Sequence, residues 1–260
     1  MHASAALAVE CGSNAWRKGR IVRLRSDPPF VLRPSLDLEQ AMPASWTPRS
    51  GLPVHVSLAA GAAGPIGGDR FRLDIDVGPG AALSVRAVAA TIALPGPHGE
   101  MSASAVNITV AEHGTLVWAP GTLIAANGCR HESITTIRLA PHARLLLREE
   151  IILGRHGESP GSLRQRLRVT VGGRVFHDQD LHVGPQAPGW GGPAVTGGRT
   201  ALGTILIVCD DQQAGGVDAN YVRDGVARMS LRGSGQLITA VADDAPTLRR
   251  LLDGAQDALR

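Results

Sequence analysis

Apolar and polar residues alternate with a period of two along much of this chain, the pattern of strands that bury one face. Phe71, Leu73, Ile75 and Val77 fall on one side of such a segment, with Arg72, Asp74 and Asp76 on the other. Leu163, Leu167, Val169 and Val171 line up in the same way against Arg164, Arg166 and Arg168. Shorter segments of strand character cover residues 51–58, 82–91, 103–110, 115–119 and 133–139. Turn residues separate them, as at Gly78-Pro79-Gly80, His113-Gly114, Ala140-Pro141-His142 and Gly172-Gly173. Many short strands at this spacing predict a mainly β architecture.

Residues 185–199 are rich in Gly and Pro and read as a long loop. The continuous apolar run 201–209 suits a strand buried on both faces. Segments 228–232 and 236–242 make a further strand pair. The chain closes with a helix over 244–260, which Asp244 caps and Pro246 opens. Its apolar stripe is Leu248, Leu251, Leu252, Ala255 and Leu259. No repeat of solenoid length is visible in the residues themselves.

Composition narrows the function classes. With 43% hydrophobic and 19% charged residues in 260, the chain can bury a core as a single domain spanning 1–260. A net charge of +3 and eight scattered aromatics do not make the basic, stacking surface of a nucleic-acid binder. Cys11, Cys129 and Cys209 are too far apart for a disulfide framework or a CxxC zinc clip. No apolar run is long enough to span a bilayer, and no basic region precedes the short apolar patch at the N-terminus. The expected location is the cytosol, with no membrane partner.

Few residues point to chemistry. Gly157-Glu158-Ser159-Pro160-Gly161 matches the G-x-S-x-G elbow of esterases, but Pro160 lacks the N–H that would hold an oxyanion. A strand pattern follows it, where the elbow needs a helix, so a hydrolase built on Ser159 is a poor reading. No phosphate-binding loop of the G-x-x-x-x-G-K-[ST] type is present. Over 144–153, alternation puts Glu149 on the apolar face with Leu145, Leu147, Ile151 and Leu153, and Glu150 opposite, beside Arg148. A carboxylate aimed into a core is paired with an arginine, turned out by a bulge, or lining a wet cavity open to a metal. Further on, Asp178, Asp180 and His182 share one strand face; carboxylates with an imidazole suit a borderline divalent ion such as nickel. Spread over about 13 Å at roughly 3.3 Å per residue, they are stepping stones or ordinary surface residues, not one tight site. Asp74 and Asp76 read as a solvated face. Cys129 and His131 share one side of a strand start, where a soft metal or a plain buried thiol both fit.

The order of short motifs goes further than composition. Gly67-Gly68-Asp69 with the strand to Val77 and Gly78-Pro79-Gly80-Ala81 resembles the opening of urease accessory proteins of the UreD (UreH) family. Thr115-Leu116-Val117-Trp118-Ala119-Pro120 with Thr122-Leu123-Ile124 is similar to their next block. So are Glu149-Glu150-Ile151-Ile152-Leu153-Gly154-Arg155 with Gly157-Glu158, and Leu202-Gly203-Thr204-Ile205-Leu206-Ile207-Val208. The shared order covers about residues 65–210, and residues 1–60 match only loosely. Three places depart from the family: 88–97 is almost all small or apolar, the turn after Trp118 is Ala119-Pro120-Gly121, and no aromatic follows Gly157-Glu158.

The resemblance implies a stacked, helical arrangement of β-strands with a few helices, and a scaffold rather than an enzyme. It implies a hetero-oligomer with UreF, the GTPase UreG and apo-urease, and nickel carried transiently with no tightly bound cofactor. Glu149 is then the leading candidate for a nickel passage, followed by Glu150, Asp69 and Glu158, with Asp178, Asp180 and His182 as further candidates. The competing expectation is an all-β adaptor unrelated to nickel, whose acidic face docks a basic partner.

Overall fold

The computed structural model describes residues 1–12, 19–35, 53–209, 220–232 and 235–257. The first two positions of the 51–58 segment, and Leu259 of the helical stripe, lie outside the described residues. The chain begins with β1 (His2–Glu10), β2 (Arg20–Arg25), β3 (Phe30–Pro34) and β4 (Val54–Ala60). Next come β5 (Arg70–Val77), β6 (Ala82–Ala87), β7 (Thr91–Ala93), β8 (Ser102–Val110), β9 (Thr115–Ala119) and β10 (Thr122–Ala125). The long strands β11 (Arg130–Leu139), β12 (Arg144–Leu153), β13 (Ser162–Val171) and β14 (Arg174–Val183) follow. The described chain ends with β15 (Ala201–Val208), β16 (Tyr221–Arg223), β17 (Val226–Leu231), β18 (Gly235–Ala242) and the helix α1 (Ala245–Asp257).

The strands wind as stacked coils between two sheets. Sheet I has the order β14-β13-β11-β8-β5-β1-β2, and its five central strands are parallel. Sheet II has the order β16-β17-β18-β15-β12-β9-β6-β4-β3, with β4, β6, β9 and β12 parallel. Antiparallel strands finish each stack, so no parallel edge is left open to another chain. The coil strands of sheet I start at residues 70, 102, 130 and 162, a repeat of about 30. The repeat is written in the turns. Gly80, His113 and His142 occupy equivalent left-handed positions (φ 63°, 58° and 59°), and the two imidazoles stack with centroids 5.3 Å apart.

One expected strand, 82–91, is two. β6 ends at Ala87 and β7 begins at Thr91, and one coil later β9 and β10 are parted by Pro120 and Gly121. The breaks lie on top of each other: a Cβ at Gly121 (φ 79°) would stand 3.0 Å from Ala87 Cβ. β12 does not break. Its first four residues pair with β9, its last four with β10, and Arg148 and Glu149 fall opposite the gap.

Two apolar clusters fill the space between the sheets, one around Leu73, Ile108, Leu145 and Val169, the other around Ala125, Ile151, Leu153 and Leu163. A third lies outside sheet II, where Leu248, Leu252 and Ala255 of α1 cover Ile205, Ile207 and Ile238. β15 therefore has apolar neighbours on both faces, as its unbroken apolar run requires. Asp244 caps α1, its Oδ1 accepting from Thr247 N at 2.7 Å. α1 is the one helix among the described residues.

Candidate functional site

β12 keeps its register with β15 from Leu145 to Ile152, so no bulge turns Glu149 away from the interior. Its carboxylate is buried and meets only uncharged donors. Thr135 Oγ1 donates to Oε1 at 3.3 Å and Gln165 Nε2 to Oε2 at 2.8 Å. Among the described residues no cation pairs with it, so the buried salt bridge left open by the sequence is not its arrangement. Burial pushes the carboxyl up to about 7, against the opposing pull of the Thr135 hydroxyl and the Trp118 indole.

Glu149 lines a partly open cavity of about 140 Å³ walled by residues of both sheets. Inward residues of three consecutive sheet I strands make its polar wall: Ser104, His131, Ser133, Thr135 and Gln165. His131 Nδ1 lies 2.9 Å from Ser102 Oγ and Nε2 lies 3.2 Å from Ser104 Oγ. Burial pushes this imidazole down to about 4, so it is neutral and presents one donor and one acceptor nitrogen. One carboxylate, one neutral imidazole, hydroxyls and an amide thus converge on one small space.

Glu150 points to the other side of sheet II. Arg148 Nη2 lies 2.8 Å from Oε1, and Oε2 accepts from Arg249 Nε at 3.2 Å and Thr122 Oγ1 at 3.0 Å. It borders an outer groove of about 800 Å³ under α1.

The other candidates are elsewhere. Asp69 is buried, with the α-amine of Met1 2.6 Å from Oδ1 and Ile66 N donating to Oδ2 at 2.8 Å. Glu158 accepts from Arg155 Nε and Nη2 at 2.9 and 2.7 Å, and Arg155 holds its carboxyl down to about 2. Asp178, Asp180 and His182 share one face of β14 as alternation requires, but it is the outer face of sheet I. There Asp178 sits 3.3 Å from Arg166, and Asp180 2.7 Å from Arg164 and 3.0 Å from His182. Asp74 and Asp76 pair with Arg72 and Arg23 on that face. Cys129 belongs to an apolar cluster, and burial pushes its thiol up to about 11. Ser159 is exposed in the loop entering β13, a strand and not the helix an elbow requires.

Ser102, Ser104, Ser133, Thr135, Gln165 and Arg249 were not among the candidates. For β11 the signal was present: His131, Ser133 and Thr135 precede Ile137 on one period-two face. Among the described residues no three His, Cys, Asp or Glu side chains are grouped to hold a metal, so the cavity is no tight cage.

The profile of the UreD urease accessory protein family matches residues 2–260. The chain belongs to the UreD family. Its match includes the N-terminal sixty residues, where motif order alone was weak. A urease accessory protein UreD of Frankia alni is 42% identical over 99% of this chain and 93% of its own length. One from Streptomyces avermitilis is 43% identical over 87% of this chain and 90% of its own. UreD 1 of Saccharopolyspora erythraea is 34% identical over 96% and 92%. A role as a urease accessory protein follows from this membership, and no described helix of this UreD chain is long and apolar enough to cross a membrane.

Proposed function

We propose that this UreD chain is a non-catalytic scaffold that assists nickel insertion into apo-urease, in a cytoplasmic complex with UreF and UreG, and that Ni²⁺ passes its interior at Glu149. One observation carries the reading: a buried carboxylate with only neutral partners faces a cavity that has a polar wall. A salt-bridged glutamate would have to lose an arginine before meeting a cation, whereas this one exchanges a proton and two hydrogen bonds. Glu149 supplies the charge, and the hydroxyls, the Gln165 amide and His131 supply neutral donors. Such a ligand set suits nickel and is weak enough for an ion to leave again. The adaptor reading is disfavoured because the acidic residues of the sheet I face are neutralised by arginines of that same face.

The test is co-expression of the tagged chain with UreF, UreG and apo-urease, with nickel content and urease activity measured. Glu149→Ala should still recover UreF and apo-urease while nickel loading falls at least tenfold. Full loading by that variant would sink the passage, and failure to recover UreF with the parent chain would sink the scaffold.

A further inference from the structure

We infer that the break between β9 and β10 is a lateral mouth of the interior cavity for a cation, and that Arg249 of α1 latches it across Glu150. The inference takes from the proposed function only that the cargo is a cation; the opening itself rests on the arrangement of walls. The interior cavity and the outer groove have Ala87, Ala89, Ala90, Trp118, Gly121, Thr122 and Glu150 in common. Five of these seven are small and come from the stacked breaks of two successive coils, while Trp118 of β9 and Glu150 of β12 flank them. On this side the pairing of β12 stops at Leu147 with Trp118 and resumes at Glu150 with Thr122, so sheet II has no ladder across the gap. Glu149 and Glu150, neighbours in sequence, put one carboxylate on the inner side of this gap and one on the outer side.

The closure is made by two residues one turn apart on α1. Arg249 donates to Glu150 Oε2 at 3.2 Å and to Thr122 Oγ1 at 3.1 Å, joining α1 to the rim where the ladder resumes. Asp253 Oδ1 takes Arg148 Nη1 at 2.5 Å, and Arg148 reaches back to Glu150 Oε1. With both guanidiniums in place the Glu150 and Asp253 carboxylates are paired and neither is free to meet a cation. The side chain of Glu150 is only 9% exposed but that of Arg249 is 53% exposed, so the arginine can swing into water while Arg148 alone still holds the Glu150 carboxylate at the opening. α1 itself stays seated through Leu248 and Leu252, so release requires one side chain and not the helix.

The experiment uses the full chain, no nickel, and a thiol placed in the cavity wall by Ser133→Cys. A quaternary-ammonium methanethiosulfonate reagent is added, and modification at position 133 is timed by peptide mass spectrometry, which reads it apart from the three native cysteines. Arg249→Ala should accelerate modification at least tenfold, and adding Ala89→Phe at the exposed rim should return it to the starting rate. An unchanged rate with Arg249→Ala, its circular dichroism native, overturns the latch. A gain that Ala89→Phe does not remove overturns the mouth, because the reagent then enters through a loosened fold. Neither result depends on nickel, so the passage reading stands or falls separately with Glu149→Ala.

Discussion

Glu149 and His131 line one cavity and respond to pH in opposite senses. Burial lifts the Glu149 carboxyl from an ordinary 4.5 to about 7, so its contribution to stability is full below pH 4.5 and is lost as pH rises through 7. Burial lowers the His131 imidazole from 6.5 to about 4, so its contribution is full above pH 6.5 and is lost as pH falls through 4. Each shift is worth roughly 3 kcal/mol, and across this window the two slopes oppose each other. The parent chain should therefore show a nearly flat stability from these groups between about pH 4 and 7. Glu149→Gln leaves the histidine slope alone, so that variant should gain roughly 3 kcal/mol over the same rise in pH. Urea unfolding at a series of pH values measures this; a variant as flat as its parent would contradict it. At this scale the sequence was half legible. Alternation alone puts Glu149 inside, but its partners Thr135 and Gln165 reach it from strands of the opposite sheet, which no local pattern encodes.

At the scale of elements, the long strands and the capped helix were readable because their signals are local: a period of two, or a cap followed by an apolar stripe. The division of 82–91 was not. Val88, Ala89 and Ala90 carry no strong turn chemistry, and the chain bends there because the next coil bends at Pro120 and Gly121. The Gly67-Gly68-Asp69 motif has a packing cause of the same kind. A Cβ at Gly67 would stand 2.6 Å from Glu100 O and closer still to the backbone nitrogen of Gly96, so two loops meet there main chain to main chain. Gly67→Ala should lose at least about 2 kcal/mol of stability in thermal or urea unfolding, since backbone cannot yield as a side-chain tip can. Asp244→Ala should lose about 1 kcal/mol through the cap of α1, measured the same way.

For the whole molecule, the two faces of sheet I do different work. Its inner face lines the cavity, while its outer face is a set of exposed pairs between Arg23, Arg72, Arg164 and Arg166 and acids of the same face. Such pairs contribute little individually. Asp178→Asn with Asp180→Asn should therefore change stability by less than about 1 kcal/mol and leave nickel loading of urease unaltered. A loss of loading with the fold intact would move the route to the surface. The carboxylates of β14 looked like candidates in sequence because composition cannot tell one side of a sheet from the other. The stacked architecture was legible only through motif order, since the coil repeat sits in turns whose residues differ, Gly in one coil and His in the next two.

β12 turns this into a question of parity. Its residues take the inside or the outside of the molecule by odd or even count, and nothing in the chemistry of two adjacent glutamates distinguishes them. Removing one residue between Arg144 and Arg148 would exchange their roles, presenting the second carboxylate to the cavity and the first to α1. Composition and net charge would barely move, yet inside and outside would be reversed. For this strand, counting carries as much information as chemistry.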